Sequence, residues 1–126
     1  MSNTEQIPEP DEVLRNAIVE MTVVSWRFGR AFARLLSKLD FGDRERYESQ
    51  LRWFTKKLEE TLALAEMKLL NIEGQPFDPG TAATPLNIED FDSKDILIIE
   101  QMIEPIILGK EGIIRAGNVI LRRVEK

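Results

Sequence analysis

Apolar residues recur at steps of three and four over the first 70 residues of the chain, the spacing that places side chains on one stripe of an α-helix. A first helix is predicted to begin at Asp11, where the preceding Pro10 suits a first helical turn. Its stripe comprises Leu14, Ala17, Ile18, Met21, Val24, Phe28, Phe32, Leu35 and Leu39. A second helix is predicted from about Arg44 to Leu70. Its stripe comprises Tyr47, Leu51, Phe54, Leu58, Leu62, Ala65 and Leu69. Because only a short loop separates the two, we expect an antiparallel helix pair.

The predicted break between the helices lies within the segment LDFGDRERYE, residues 39–48. Gly42 is expected to end the first helix, because glycine readily adopts the left-handed conformation common after a helix C-terminus. Asp43 is expected to cap the second helix, since aspartate is a favoured N-cap residue.

Each predicted helix also carries apolar residues beside its main stripe, including Trp26 on the first and Trp53 on the second. A single helix pair has only one seam, so a second apolar side indicates packing against another copy of the chain. We therefore predict a four-helix bundle formed across a homodimer. The residues expected at this dimer interface are Trp26, Phe28, Phe32, Phe54 and Leu58.

The pattern changes from helical to extended at GQPFDPGTAATP, residues 74–85, whose prolines and glycines cannot continue a helix. An acidic loop is predicted over 87–95, followed by an isoleucine-rich strand from Ile96 to Ile103. Gly109–Gly112 is predicted to turn the chain into a return strand from Ile113 to Val124. The predicted fold class is therefore α+β. Its parts are a flexible tail (1–10), a helical dimerisation region (11–72) and a small all-β C-terminal domain (73–126).

Composition narrows the possible functions of the 126-residue chain, which contains neither Cys nor His. Their absence removes thiolate nucleophiles, serine-histidine and cysteine-histidine pairs, disulfides and almost every zinc or transition-metal site, so we expect no metal. The net charge of −5, with acidic and basic residues mixed, argues against nucleic acid as a partner. No apolar run has membrane-spanning length and no secretory signal is visible, so we expect a soluble, cytoplasmic protein.

Carboxylates are the main remaining candidates for chemistry. Asp90, Asp92 and Asp95 alternate along the acidic loop, but this segment lacks the central glycine and closing glutamate of a calcium loop. Asp78 precedes Pro-Gly, where an aspartate usually accepts a hydrogen bond from its own backbone. A small carboxylate enzyme using Asp78 with Glu73 or Asp90 is an alternative. The residues favour a protein that binds other proteins over an enzyme.

Two short motifs in the C-terminal half, QPFDP at residues 75–79 and IIRAGNVIL at residues 113–121, follow the helix pair in a suggestive order. With this order of parts, the chain from about Leu14 onward resembles the GrpE family, the nucleotide exchange factors of DnaK-type chaperones. The segment GRAF, residues 29–32, also resembles the arginine-bearing part of the family's first bundle helix. Departures from the family pattern make this the resemblance of a truncated, divergent member. They include Ala82 in place of a His, Ile106-Ile107 in place of Gly-Tyr, and Gly112 in place of a basic residue.

The resemblance implies a homodimeric co-chaperone that binds no nucleotide and needs no cofactor. In the family, the small β domain acts as a wedge against the nucleotide-binding domain of the chaperone, opening its cleft so that ADP is released. The residues implied to face the chaperone are Phe77, Ile103, Arg115 and Arg30, with Lys110 as a neighbour that could substitute for the missing basic residue. Phe77 could instead fill the joint between helices and sheet. A dimeric helical adaptor that binds a different protein is the rival interpretation.

Overall fold

The computed structural model describes residues 9–124, in which two helices precede a region of β-strands. The predicted α+β class is confirmed. The tail expected over residues 1–10 lies outside the described residues, apart from Glu9 and Pro10. Across the described range, no helix combines the length and the apolar character needed to cross a lipid bilayer.

The first helix, α1, spans Pro10–Leu36, and its start agrees with the sequence prediction. Pro10 occupies the first turn, where its missing N–H has no intrahelical acceptor to lose. Asp11 and Glu12 in that turn, and Arg34 in the last turn, complement the helix dipole. The helix therefore carries favourable signals at both ends.

The second helix, α2, spans Phe41–Leu64 and corrects both of its predicted ends. Gly42 and Asp43 do not separate the helices; they lie in the first turn of α2, because the helix starts after Asp40. The backbone N–H of Arg44 donates to the carbonyl oxygen of Asp40 over 2.8 Å, which closes that first turn. The predicted continuation of α2 to Leu70 is wrong.

A Schellman-type turn stops α2 at Leu64. Glu66 has the left-handed backbone angle φ of 60°, and its N–H donates to the carbonyl oxygen of Ala63 over 2.9 Å. The N–H of Met67 reaches back to the carbonyl oxygen of Leu62 over 3.2 Å, completing the motif. The chain then leaves the helix axis, and Lys68–Leu70 forms a strand.

Within residues 9–124 the β region contains six strands in two three-stranded sheets. The strands are β1 (Lys68–Leu70), β2 (Ala83–Pro85), β3 (Leu97–Glu104), β4 (Ile106–Gly109), β5 (Gly112–Arg115) and β6 (Gly117–Arg123). The first sheet has the antiparallel order β1-β4-β5. In the second sheet, of order β2-β6-β3, β2 runs parallel and β3 antiparallel to the central β6.

The strand predictions are confirmed in part. β3 coincides closely with the predicted Ile96–Ile103 strand, and Gly109–Gly112 forms the turn of the β4–β5 hairpin, with Gly112 at φ 125°. The predicted return strand is instead two strands, β5 and β6, which are separated at Ala116 and belong to different sheets. A strand that changes sheets needs such an interruption.

Two apolar clusters join the parts of the fold. One fills the β region and receives the partly buried Trp26 from α1. Its buried members are Ile72, Leu97, Ile99, Met102, Ile106, Val119 and Leu121. The second cluster lies between the helices and the first sheet, with Val19, Val23, Leu62, Met67 and Ile107. The helix pair and the β region therefore share buried contacts across their joint.

Candidate protein interface

The QPFDP motif lies along the edge of β3 that faces away from β6. The N–H of Gly74 donates to the carbonyl oxygen of Ile99 over 2.7 Å. In return, the N–H of Ile99 donates to the carbonyl oxygen of Gln75 over 2.9 Å. The N–H of Phe77 then donates to the carbonyl oxygen of Leu97 over 3.0 Å. Gly74 has φ of 88°, a conformation that glycine adopts without steric cost. Residues 74–77, the edge segment, are thus fixed to the sheet by backbone hydrogen bonds.

Phe77 is half-buried, with its ring packed against the apolar cluster of the β region. The residue after it begins a tight turn in which Asp78 Oδ1 accepts the N–H of Gly80 over 2.7 Å. The N–H of Asp78 donates to Thr81 Oγ1 over 3.1 Å. The backbone role predicted for Asp78 is confirmed. The packing of Phe77 is that expected of the structural alternative, and its contact with a partner stays a prediction.

Arg115 on β5 belongs to an ionic cluster centred on Glu104. Its guanidinium binds Glu20 of α1 and also lies 3.4 Å from Glu104 Oε1 at the end of β3. Asn118 Nδ2 donates to the same Oε1 over 2.9 Å, and Arg27 Nη1 of α1 lies 3.6 Å from Glu104 Oε2. The Glu104 side chain is only 16% exposed. This cluster connects α1 with strands of both sheets.

Arg30 of α1 is also engaged within the chain. It binds the carboxylate of Glu73, the residue just before the edge segment. Its guanidinium carbon lies 5.1 Å from the centre of the Trp26 ring, a cation–π distance. The same Glu73 oxygen, Oε2, accepts the N–H of Met102 over 2.7 Å. Arg30 therefore contributes to the joint between α1 and β3.

The two other predicted contact residues lie on the β region. Lys110 occupies the tip of the β4–β5 hairpin, where its ammonium is 3.4 Å from Glu66 Oε2 and both side chains are largely exposed. Ile103 is half-buried on β3, directly before Glu104 of the ionic cluster. The residues predicted to contact the chaperone therefore lie partly at the joint between the helices and the β region and partly on the two sheets.

The predicted dimer residues lie mainly along one groove between the helices. Phe28 is 66% exposed and stacks on Phe32 with ring centres 6.4 Å apart. A groove of about 210 Å³ lies beside them; its lining includes Phe28, Gly29, Phe32, Leu51, Trp53 and Phe54. A further apolar groove of about 450 Å³ involves Ile18, Met21, Thr22, Ser25, Leu58 and Leu62. Trp26 differs from the other predicted residues, because its side chain packs within the chain against the β region.

No sequence pattern predicted the ion pairs of Glu73 and Glu104, although both side chains connect the helices with the β region. Each belongs to an ion pair between residues far apart in sequence; Arg30 and Glu73, for example, are 43 positions apart. No local motif marks such a pair. In the part of the chain that the structure describes, no group of three or more acidic side chains is arranged to hold a metal ion.

Comparisons of the chain with protein-family models, with curated proteins and with solved structures find no match. The resemblance to the GrpE family therefore depends on the residues and motifs quoted from the sequence.

Proposed function

We propose that this protein is a GrpE-like nucleotide exchange factor, a co-chaperone that opens the nucleotide cleft of a DnaK-type chaperone and speeds ADP release. The observation that carries the proposal is the meeting of its two signature motifs on one strand. The edge segment of QPFDP lies along one edge of β3, and β6, from IIRAGNVIL, pairs with the other edge. Two motifs that lie far apart in the sequence thus belong to one structural unit beside the helix pair.

The proposed mechanism is thermodynamic linkage, without bond chemistry on the exchange factor. A protein that binds the open form of the chaperone more tightly than the closed form shifts the equilibrium toward the open form. Reciprocity then requires that ADP bind more weakly to the complex than to the free chaperone. Each tenfold preference for the open form requires about 1.4 kcal/mol of differential binding energy. A small surface with a few desolvated contacts meets this requirement.

The proposed contact surface includes Phe77, Ile103, Lys110 and Arg115, with Arg30 contributing from the helix pair. Lys110 is the most exposed of these cations. Arg115 keeps part of its guanidinium exposed beside its internal carboxylates. A guanidinium has five N–H donors, so a chaperone carboxylate can bind Arg115 without displacing Glu20 or Glu104.

The proposed factor acts as a homodimer through a four-helix bundle. Support comes from a row of exposed apolar residues at seven-residue steps on α1, the repeat of a helix-packing seam. The row consists of Leu14, Met21, Phe28 and Leu35. A row of exposed apolar residues on one helix face is typical of a surface that packs against a partner. A second copy that covers this row and the adjoining grooves completes the proposed bundle.

The release of labelled ADP from DnaK-type chaperones of the same host tests the proposal. Addition of the full-length protein should raise the release rate in proportion to its concentration until the chaperone is saturated. Hydrolysis of ATP by the protein alone, measured in parallel, should stay at the buffer background. A release rate that is unchanged with every such chaperone would contradict the proposal.

A dimeric helical adaptor is the second candidate, and a specific observation favours it. Arg30 and Arg115 both bind carboxylates of their own chain, so two cations implied for chaperone contact already contribute to the joint. Such an adaptor would form the same dimer but would not bind a DnaK-type ATPase domain. Surface plasmon resonance measurements of binding to that ATPase domain, with and without ADP, distinguish the two candidates.

A further inference from the structure

The edge of β3 that faces the edge segment contains a buried amide without a backbone acceptor from that segment. Leu97 accepts a backbone hydrogen bond from residues 74–77, and Ile99 both accepts one from and donates one to this segment. Met102, farther along β3, is only 1% exposed, and its N–H donates instead to Glu73 Oε2 over 2.7 Å. Because a buried N–H requires an acceptor, the Glu73 carboxylate takes the place of a backbone carbonyl. It completes the edge of the strand where the edge segment departs.

The same carboxylate oxygen binds α1. Glu73 Oε2 accepts from Arg30 as well as from Met102, so one atom joins the helix to the strand. The guanidinium of Arg30 is further placed by the ring of Trp26, which packs on the β cluster. Both charged side chains are partly buried, which reduces the screening of their interaction by water and salt. Hydrogen bonds between charged groups are also about twice as strong as neutral ones.

We propose that Glu73 is a positioning residue that sets the location of Phe77 relative to α1. Glu73 directly precedes the edge segment, and its side chain holds the start of that segment to Arg30 and to Met102. A displacement of α1 at this point is transmitted through Glu73 to the residues that carry Phe77. The inferred effect on chaperone binding rests on the proposed function, whereas the coupling of α1 to the edge segment is independent of that function.

The chain offers a matched control in Glu66. This glutamate also forms an ion pair between the helical part and the β region, with Lys110 at 3.4 Å, but both side chains of this pair are largely exposed. Exposed pairs of this kind contribute little to stability. Glu66→Gln therefore removes a comparable charge without affecting the edge segment.

Amide hydrogen exchange of the full-length protein, followed by NMR, tests the coupling directly. Glu73→Ala should speed exchange at the amides of Met102, Gly74 and Phe77 by about tenfold or more, because a buried donor loses its acceptor. The amide of Ile107, fully buried in the central strand β4 of the first sheet, serves as the internal reference. Glu66→Gln should leave all these rates unchanged. Wild-type rates at the three amides in Glu73→Ala would overturn the proposal.

Glu73→Gln separates the two functions of the carboxylate and serves if Glu73→Ala does not fold. The glutamine oxygen still accepts the N–H of Met102, so that amide should stay protected. Loss of the charged bond to Arg30 should still speed exchange at Gly74 and Phe77, by roughly threefold to tenfold. Arg30→Met should have the same effect, and the double variant should show no further increase, since both changes remove one interaction. Additive effects would overturn the coupling.

ADP release then tests the consequence for function. Glu73→Gln should lower the acceleration by about threefold or more relative to the wild type. Full acceleration by Glu73→Gln, despite altered exchange at Phe77, would overturn the positioning role. If the wild type does not speed release at all, the proposed function fails, and the amide exchange still decides whether Glu73 couples α1 to the edge segment.

Discussion

Gly117 and the carbonyl oxygen of Glu104 approach so closely that a Cβ on Gly117 would lie 2.9 Å from that oxygen. The same Cβ would lie 2.9 Å from Cε of Met102 and 3.1 Å from Cγ1 of Ile106. Gly117 is the first residue of β6, and its N–H donates to the carbonyl oxygen of Ala82 over 3.1 Å. Three segments of the β region thus meet at a position where a side chain does not fit.

Gly117→Ala should lower the free energy of unfolding by about 1–3 kcal/mol, since backbone or well-packed atoms must move to admit the methyl group. Urea denaturation measures the change. Gly42→Ala is the control, because a Cβ at that position in the first turn of α2 meets nothing within 4 Å. There, replacement of glycine should leave stability unchanged or raise it by up to about 1 kcal/mol. Equal stabilities of the two variants would contradict the steric argument.

Glu104→Ala should destabilise the joint between the helices and the β region by about 1–3 kcal/mol, because Asn118 loses the acceptor of its Nδ2 and partly buried Arg115 loses one of its two carboxylates. Chemical denaturation of the variant and of Glu100→Ala measures this loss. Glu100 is exposed on the same strand, and its replacement should change stability by less than about 0.5 kcal/mol. A loss of similar size in both variants would show that Glu104 has no special role.

Phe28→Glu should convert the proposed dimer into a folded monomer. A charge in the exposed apolar row would have to be buried without a partner in the bundle, and this desolvation cost disfavours the dimer. Multi-angle light scattering at micromolar concentration gives the mass, and circular dichroism checks the helices. Phe41→Glu is the control: Phe41 is 71% exposed at the start of α2, outside the grooves between the helices. A monomeric wild type with a melting temperature independent of concentration would refute the bundle.

Phe77→Ala should weaken chaperone binding by about 2 kcal/mol, roughly thirtyfold, if the ring is an interface anchor. Because Phe77 also packs on the β cluster, the same variant should lose some stability. Phe91→Ala controls for this loss, since Phe91 is likewise half-buried against that cluster. The prediction is that only Phe77→Ala weakens binding at a temperature where both variants are folded. Equal weakening by the two would assign Phe77 a structural role alone.

Much of the helical architecture could be predicted from periodicity, because both helices carry long apolar stripes. The end of α2 could not. Leu62, Ala65 and Leu69 continue the helical spacing, while the residue that adopts the left-handed conformation is Glu66, where a glycine would have been recognisable. The pairing of Lys68–Leu70 with β4 supplies the stabilisation that overrides the local pattern.

The ion pairs between the helices and the β region could not be predicted from sequence patterns, for a different reason. The resemblance implied that Arg30 and Arg115 face a partner, and nothing near them in sequence predicts that Glu73, Glu104 and Glu20 bind them. Only the folded chain brings these carboxylates together with the arginines. Asp78, by contrast, was assigned correctly because its acceptor role depends on the residues immediately after it.

The two sheets are interleaved along the chain. β1 pairs with β4, placing Lys68 opposite Leu108, and β2 pairs with β6, placing Ala83 opposite Gly117. Long loops must close before either ladder forms, whereas the helix pair requires only a short connection. During synthesis the helices can therefore form early, while the second sheet must wait for β6, which is its central strand. A chain that ends before Gly117 lacks this central strand, so β2 and the β6-facing edge of β3 have no strand to pair with, and exposed strand edges of this kind favour aggregation.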